Sequence, residues 1–257
     1  MGLSDTQKTH IQEVIKKCLR DKFRNYQPES NYMPFHYALL GRDRMALFSF
    51  IQSLNTTFGS AIYEPVAVAL AESHFKVAKA QYSVGNQISV DAQREIQTII
   101  NELSIGGNPD KIKEIERIRQ VCCKGEKCKV KTVKADLYLE THQGEVYLFD
   151  LKTAKPNISN FKDFKRTLLE WVAIILEKKP DAKVFSCIAI PYNPYHPEPY
   201  HRWTIKGMLD LSYEIKVAEE FWDFLSGKDT FEDLLICFEA AGVELKPEID
   251  AYFKQFK

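Results

Sequence analysis

The sequence predicts an α/β (α+β) fold, a mixed sheet flanked by helices, with further helical segments before and after it. Three observations predict this. The hydrophobic period drops from about 3.6 residues to 2 near residue 132. Two alternating segments follow, TVKADLYLE and EVYLFDLK, with THQG between them. A long amphipathic stretch then leads to KVFSCIAIP, a nearly continuous apolar run of the kind covered on both faces of a sheet. Residues 132 to 190 thus read β-β-α-β, ending in a crossover to a parallel strand.

The part before this core, residues 1–107, reads as mostly helical. THIQEVIKKCLRDKFRNY puts Ile11, Val14, Ile15, Cys18, Leu19 and Phe23 on one helical stripe. MALFSFIQSLNTTFGSAIYEPVAVALAESHF suggests two helices with a polar break at Asn55-Thr56-Thr57 and Gly59. Pro65 suits the first turn of the second helix, so Glu64 falls near its N-terminus. VDAQREIQTIINELSIGG and NPDKIKEIERIRQVC are amphipathic helices, the first closed by Gly106-Gly107 and the second capped by Asn108 or Asp110. Residues 108–203 form the expected core. Residues 204–257 read as two or three helices around Gly227 and Gly242, with Phe221, Trp222 and Phe224 as core residues. All 257 residues are read as one domain.

Composition excludes little but narrows the class. A hydrophobic share of 45% and a charged share of 27% are those of a globular protein, and no apolar run reaches bilayer-spanning length. The N-terminal stretch has no apolar h-region, so no signal peptide is expected. Six cysteines in mostly single or apolar positions suggest a reducing compartment. Cys122, Cys123 and Cys128 lack a second ligand pair, so a zinc site is not expected. The net charge of zero hides an asymmetry: nine Lys/Arg against three Glu in 111–134, ten acids against two Lys in 219–250. Either these are two solvated faces, or the basic part faces a polyanion and the acidic part stays away from it.

The chemistry concentrates in the hairpin. Asp150 and Lys152 point to one side of their strand, because side chains alternate. With a three-residue loop His142-Gln143-Gly144, cross-strand partners sum to 286 and Asp136 faces Asp150. A two-residue loop would instead oppose Asp136 to Phe149 and turn the acids to opposite faces. Two carboxylates across a ladder repel, about 5 Å apart at Cβ. Lys134 and Lys152 could offset this at a surface. A divalent cation would offset it better, since Mg²⁺ takes carboxylate oxygens while keeping waters and phosphate oxygens. A neighbouring lysine could then act on a metal-bound water.

ADLYLETHQGEVYLFDLK resembles the bipartite motif of the PD-(D/E)XK nuclease superfamily. The resemblance implies that Asp136 and Asp150 bind Mg²⁺, that the carbonyl of Leu151 helps, and that Lys152 supports phosphodiester hydrolysis. Ala135 stands where the motif has Pro, a tolerant position. The superfamily core, α-β-β-β-α-β, fits if one short strand precedes residue 132. More diffusely, MPFHYALL, SFIQSLNTTFGSAIYE, IPYNPYHPEPYHRW and EEFWDFLSGKDTFEDLL are similar to patterns in TdeIII-type Type II restriction endonucleases, which cut duplex DNA at GGNCC-like sites. That resemblance implies a restriction endonuclease leaving 5′-phosphates, a homodimer matching a palindromic site, a cognate DNA methyltransferase as genetic partner, and a prokaryotic cytoplasm. It makes Glu64 the helix acid supporting the metal and catalysis. The alternative for Glu64 is a first-turn acid favoured by the helix dipole.

DNA contacts are expected around the motif. Lys134 lies on the first strand, and Lys155, Asn157 and Asn160 precede a helix N-terminus, a natural phosphate position; capping and solvation is their alternative role. In the loop 191–203, Asn193, Tyr195, His196 and Arg202 could contact bases or phosphates, or the loop could simply be rigid. Arg42 and Arg44, after Gly41, could bind phosphate or read guanine, with surface charge the favoured reading. Two other functions remain open at this point: a structure-specific repair or recombination nuclease, and a non-catalytic DNA-binding module on the same fold.

Overall fold

The computed structural model describes residues 2–26, 32–131, 134–152, 154–155, 161–201 and 207–254, except the side chains of 56 and 57. In chain order the elements are α1 (Asp5–Asn25), α2 (Pro34–Leu40), α3 (Arg42–Phe58), a π-helical turn (Gly59–Tyr63), α4 (Glu64–Ala71), β1 (Val77–Ser83), β2 (Gln87–Ser89), α5 (Val90–Ser104) and α6 (Lys111–Val121). There follow β3 (Lys127–Lys129), β4 (Lys134–Glu140), β5 (Val146–Leu151), α7 (Phe161–Lys178), β6 (Val184–Ile190), β7 (Ile215–Val217), α8 (Glu219–Ser226) and α9 (Phe231–Lys254). They form two compact units, a helical one of residues 1–70 and 228–257 and a sheet unit of 71–227. Among the described residues, no helix is long and apolar enough to cross a membrane.

The sheet unit holds five strands in the order β1-β4-β5-β6-β7. The first three are antiparallel neighbours, and β5, β6 and β7 run parallel. α5 starts on Ser89, whose hydroxyl accepts from the Ala92 N–H, and it buries Ile96, Ile99, Ile100 and Leu103. α6 starts on Asp110 in the same way. α7 buries Leu168, Leu169, Val172 and Leu176 in the same core as Leu148 and Ile188. On the other sheet face Phe149 meets Phe221, and Tyr147 meets Phe224 of α8. Full burial of a Phe or Leu is worth roughly 2–3 kcal/mol, so these two layers fix where the strand ends lie.

Several sequence expectations change here. The strand expected before residue 132 exists, but it is β1, separated from β4 by two helices. VAKAQYS alternates in exposure as an edge strand does, a short pattern lost among the helical periods around it. The polar break at 55–59 is not a loop: α3 passes through a π-helical turn into α4. Glu64 therefore has no free helix N-terminus beside it, because its own N–H donates to the Gly59 carbonyl. Glu64 is thus not an acid at a free helix N-terminus, and it is buried. Gly227, with φ +67, does end α8, whereas Gly242 lies inside α9 without a break. Phe221 and Trp222 are core residues as expected.

The charge asymmetry also resolves differently. In the helical unit α1 and α9 lie side by side in the same direction, joined by Lys8–Asp233, Lys16–Glu244 and Arg20–Glu248. Three acids of α9 are thus matched to bases of α1. In the basic stretch, Lys111 is buried, Arg117 is paired with Glu95 and Glu102, and Lys127 with Glu177. Much of its charge is spent inside the unit rather than on a polyanion-facing surface.

Candidate active site

The hairpin has the three-residue register. Leu137 pairs with Phe149, Tyr138 with Leu148, Leu139 with Tyr147 and Glu140 with Val146, so partners sum to 286. Gly144 takes φ +84, its N–H donates to Thr141 O at 3.0 Å, and Thr141 N donates to Glu145 O at 2.9 Å. One step further along, the ladder gives way to side-chain bonding. The Leu151 N–H donates to Asp136 Oδ2 at 2.8 Å, and the carboxyl of Asp136 lies within hydrogen-bonding reach of that of Asp150. Parallel pairing holds β5 from its other side, through Asp150 opposite Ile188 and the Lys152 N–H on Ala189 O at 2.9 Å.

Asp150 is 8% exposed. Burial pushes its carboxyl up, Lys152 opposes that, Asp136 adds to it, and the result is about 6. Lys152 Nζ lies 2.6 Å from Asp150 Oδ1 and 4.6 Å from the ring centre of Phe164 on α7, a cation–π seat. Two acids and one lysine leave this cluster one negative charge in excess when all are ionised. Two carboxylates side by side, one of them buried and reluctant to ionise, are a donor set that suits a hard divalent cation. Among the described residues no group of three or more His, Cys, Asp or Glu is placed to hold a metal ion together.

The other expected residues fall out as follows. Lys134 is exposed at the start of β4, two residues from Asp136. Lys155 and Tyr195 come together, with Nζ 5.2 Å from the ring centre, and the Tyr200 hydroxyl donates to Ala154 O at 3.0 Å. The loop 191–201 is thereby seated on the chain just beyond the Asp150–Lys152 strand. Asn193 is occupied in shaping that loop, accepting from Tyr195 N and donating to Glu198 O. Tyr195 packs on the ring of His201, and exposed His196 follows it in the loop. Asn157, Asn160 and Arg202 lie outside the described residues. Glu64 belongs to the helical unit.

Sequence reasoning missed Gln81. It adopts φ +51 within β1, and its side-chain Nε2 donates to Asp136 Oδ1 at 3.4 Å. No local signal marks it, since only the pairing of β1 with β4 brings it to the site.

A mixed sheet that ends in two opposed carboxylates with a lysine on one of them, in a unit wrapped by helices, defines a class of protein compatible with nuclease folds. Comparison with known proteins makes this specific. Residues 3–242 match the family described as "Type II restriction endonuclease, HinfI". The chain belongs to that family. It is 25% identical to the Type II restriction enzyme HgiEI of Herpetosiphon aurantiacus, over 96% of this chain and 94% of that one. It is 30% identical to the Type II restriction enzyme MjaII of Methanocaldococcus jannaschii, over 77% of this chain and 59% of that one. The restriction-enzyme expectation is therefore met. The matching family is that of HinfI, where the scattered sequence patterns resembled TdeIII-type enzymes.

Proposed function

We propose that this restriction endonuclease hydrolyses double-stranded DNA at a specific sequence with Mg²⁺, through a PD-(D/E)XK-type site made of Asp136, Asp150 and Lys152, and leaves 5′-phosphate ends. The observation that carries the reading is the register that sets Asp136 beside Asp150, with Lys152 on Asp150. When bound, Mg²⁺ supplies charge to the phosphoryl oxygens and acidifies water. Asp136 and Asp150 would hold it, with the carbonyl of Leu151; for Glu64 a supporting role is what the resemblance alone implies. Lys152, held by Asp150 and the Phe164 ring, orients the attacking water and meets charge building on the phosphate. Lys134, Lys155, Asn157 and Asn160 follow the DNA backbone, and Asn193, Tyr195, His196 and Arg202 lie along the bases or phosphates. A palindromic site, GGNCC-like by the resemblance, calls for a homodimer, and a cytoplasmic methyltransferase of the same specificity would protect the host DNA.

The test is digestion of an unmethylated plasmid with Mg²⁺, followed by sequencing of the cut ends. Discrete fragments ending in one sequence with 5′-phosphates are expected. Preference for branched or nicked substrates would point to a structure-specific nuclease, and no cutting at all to a binding module. Cutting by Asp150→Asn at the normal rate would remove the metal-site assignment.

A further inference from the structure

β1 meets β4 with partners summing to 217: Ala80 pairs with Leu137 and Tyr82 with Ala135. That register sets Gln81 against Asp136, and the pairing skips this one position. Gln81 leaves the extended conformation there for the left-handed region, φ +51. Such a backbone costs a non-glycine residue about 1 kcal/mol, and glycine or asparagine is the relaxed occupant. Gln81 is also exposed, so its side chain does not fill the core. What the side chain brings is a primary amide, and that amide reaches Asp136 Oδ1 at 3.4 Å. The other oxygen of the same carboxylate takes the Leu151 N–H at 2.8 Å. Donors from the strands on either side, β1 and β5, therefore hold one carboxylate by its two oxygens. The contact at 3.4 Å is long for a hydrogen bond, so its effect lies in orientation more than in stability.

We propose that Gln81 is a positioning residue for the Asp136 carboxylate, holding it in the orientation that receives the divalent cation. This rests on the reading of Asp136 as a metal ligand. The strained backbone at Gln81 is the means by which an edge strand turns an amide onto a residue of its neighbour. A residue that orients a metal ligand through a hydrogen bond commonly changes metal affinity by about 10- to 100-fold.

Two variants separate the amide from the backbone. Gln81→Gly removes both the amide and the strain. Gln81→Leu removes the amide and keeps the strain. Calorimetric titration with Ca²⁺, in place of Mg²⁺ and without DNA, reads metal binding apart from cleavage, and thermal melts read stability. Both variants are expected to bind Ca²⁺ about tenfold more weakly, while Gln81→Gly melts at or above the parent temperature and Gln81→Leu close to it. Asp136→Asn is the control and is expected to lose the binding. If Asp136→Asn loses binding while Gln81→Gly keeps the parent affinity, the Gln81 inference is overturned and the metal reading stands. If Asp136→Asn keeps Ca²⁺ affinity, the metal reading itself fails, and the inference with it.

Discussion

Two charged clusters of the sheet unit, one half-buried at a strand end and one fully buried, are built on opposite principles. One is the pair Asp136 and Asp150 with Lys152. The other joins Lys111 and Glu114 of α6, Lys165 of α7 and Glu214 before β7, all at most 5% exposed. In the second cluster Lys111 Nζ reaches Glu214 Oε1 at 2.8 Å and Ser186 Oγ at 2.9 Å. Lys165 Nζ lies 2.5 Å from both Glu114 and Glu214, and Glu214 also accepts from the Asp210 N–H. Two positive charges meet two negative ones, and the backbone and a serine take further bonding positions. Burial pushes Glu214 up, yet Lys111 and Lys165 together bring it below the usual carboxylate range. Glu114 bonds to Lys165, and burial, with the charge of Glu214 adding to it, leaves it raised. The strand-end cluster has two acids for one lysine, and Asp150 is raised to about 6. A balanced buried cluster ties elements together; an unbalanced one at a strand end leaves a charge that the proposed cation would balance.

The sharpest way to break this comparison is to unbalance the balanced cluster. Lys165→Met leaves Glu114 and Glu214 facing each other in the core, and removing one partner of a buried pair costs about 3–5 kcal/mol. A urea midpoint well below that of the parent is the expected result. A loss under about 1 kcal/mol would mean that the charges relax by protonation or water entry, and that the cluster does not hold α6, α7 and β7 together.

The opposite change is expected at the site. A buried acid with a raised pKa binds its proton in the folded state up to about pH 6, whereas the unfolded chain releases it near its ordinary value of about 3.9. Asp150 thus disfavours folding progressively as the pH rises through that window, with no such cost below it. Asp150→Asn, melted in EDTA, should gain about 1–3 kcal/mol at pH 7–8 relative to the parent and little near pH 4, while cleavage falls about a thousandfold. A lower melting temperature for the variant at pH 7 would mean that Lys152 alone offsets the burial of Asp150 without any metal.

How much of this could be read from sequence follows from the range of each interaction. The hairpin was legible because the period of 2 and the glycine of His142-Gln143-Gly144 fix a register within fifteen residues, and the acid pair follows from it. The balanced cluster was not, because Lys111, Glu114, Lys165 and Glu214 come from segments about 50 to 100 residues apart. On α6 the first two look like any solvated charges. Gln81 was hidden for the same reason, since β1 joins β4 across two intervening helices. Asn55-Thr56-Thr57 and Gly59 carry the composition of a break, yet α3 runs through the first three and a π-helical turn starts at Gly59.

The turn itself gives a smaller test of what sets the acid pair. Gly144 has φ +84, and a Cβ added there meets nothing within 4 Å, so Gly144→Ala is strained by its backbone alone. A cost of about 1 kcal/mol is expected, with cleavage at saturating Mg²⁺ unchanged. β5 is also held by β6, so the register of Asp136 and Asp150 does not depend on the turn once the sheet is formed. Cleavage lost well beyond the loss of stability would show that the turn alone keeps the two carboxylates opposed.

The smallest effect separates the site from the surface beside it. Lys155 sits three residues past Lys152, exposed and over the ring of Tyr195. If it contacts a DNA phosphate, Lys155→Ala lowers affinity a few-fold and reduces the slope of log affinity against log salt by about 0.9. Binding is measured with Ca²⁺ in place of Mg²⁺, so that the DNA stays intact. Lys152→Ala, by contrast, should change cleavage far more than binding, because its ammonium is engaged with Asp150. An unchanged salt slope in Lys155→Ala would confine that lysine to packing on Tyr195, and the boundary of the DNA-facing charge would then fall at Lys152 itself.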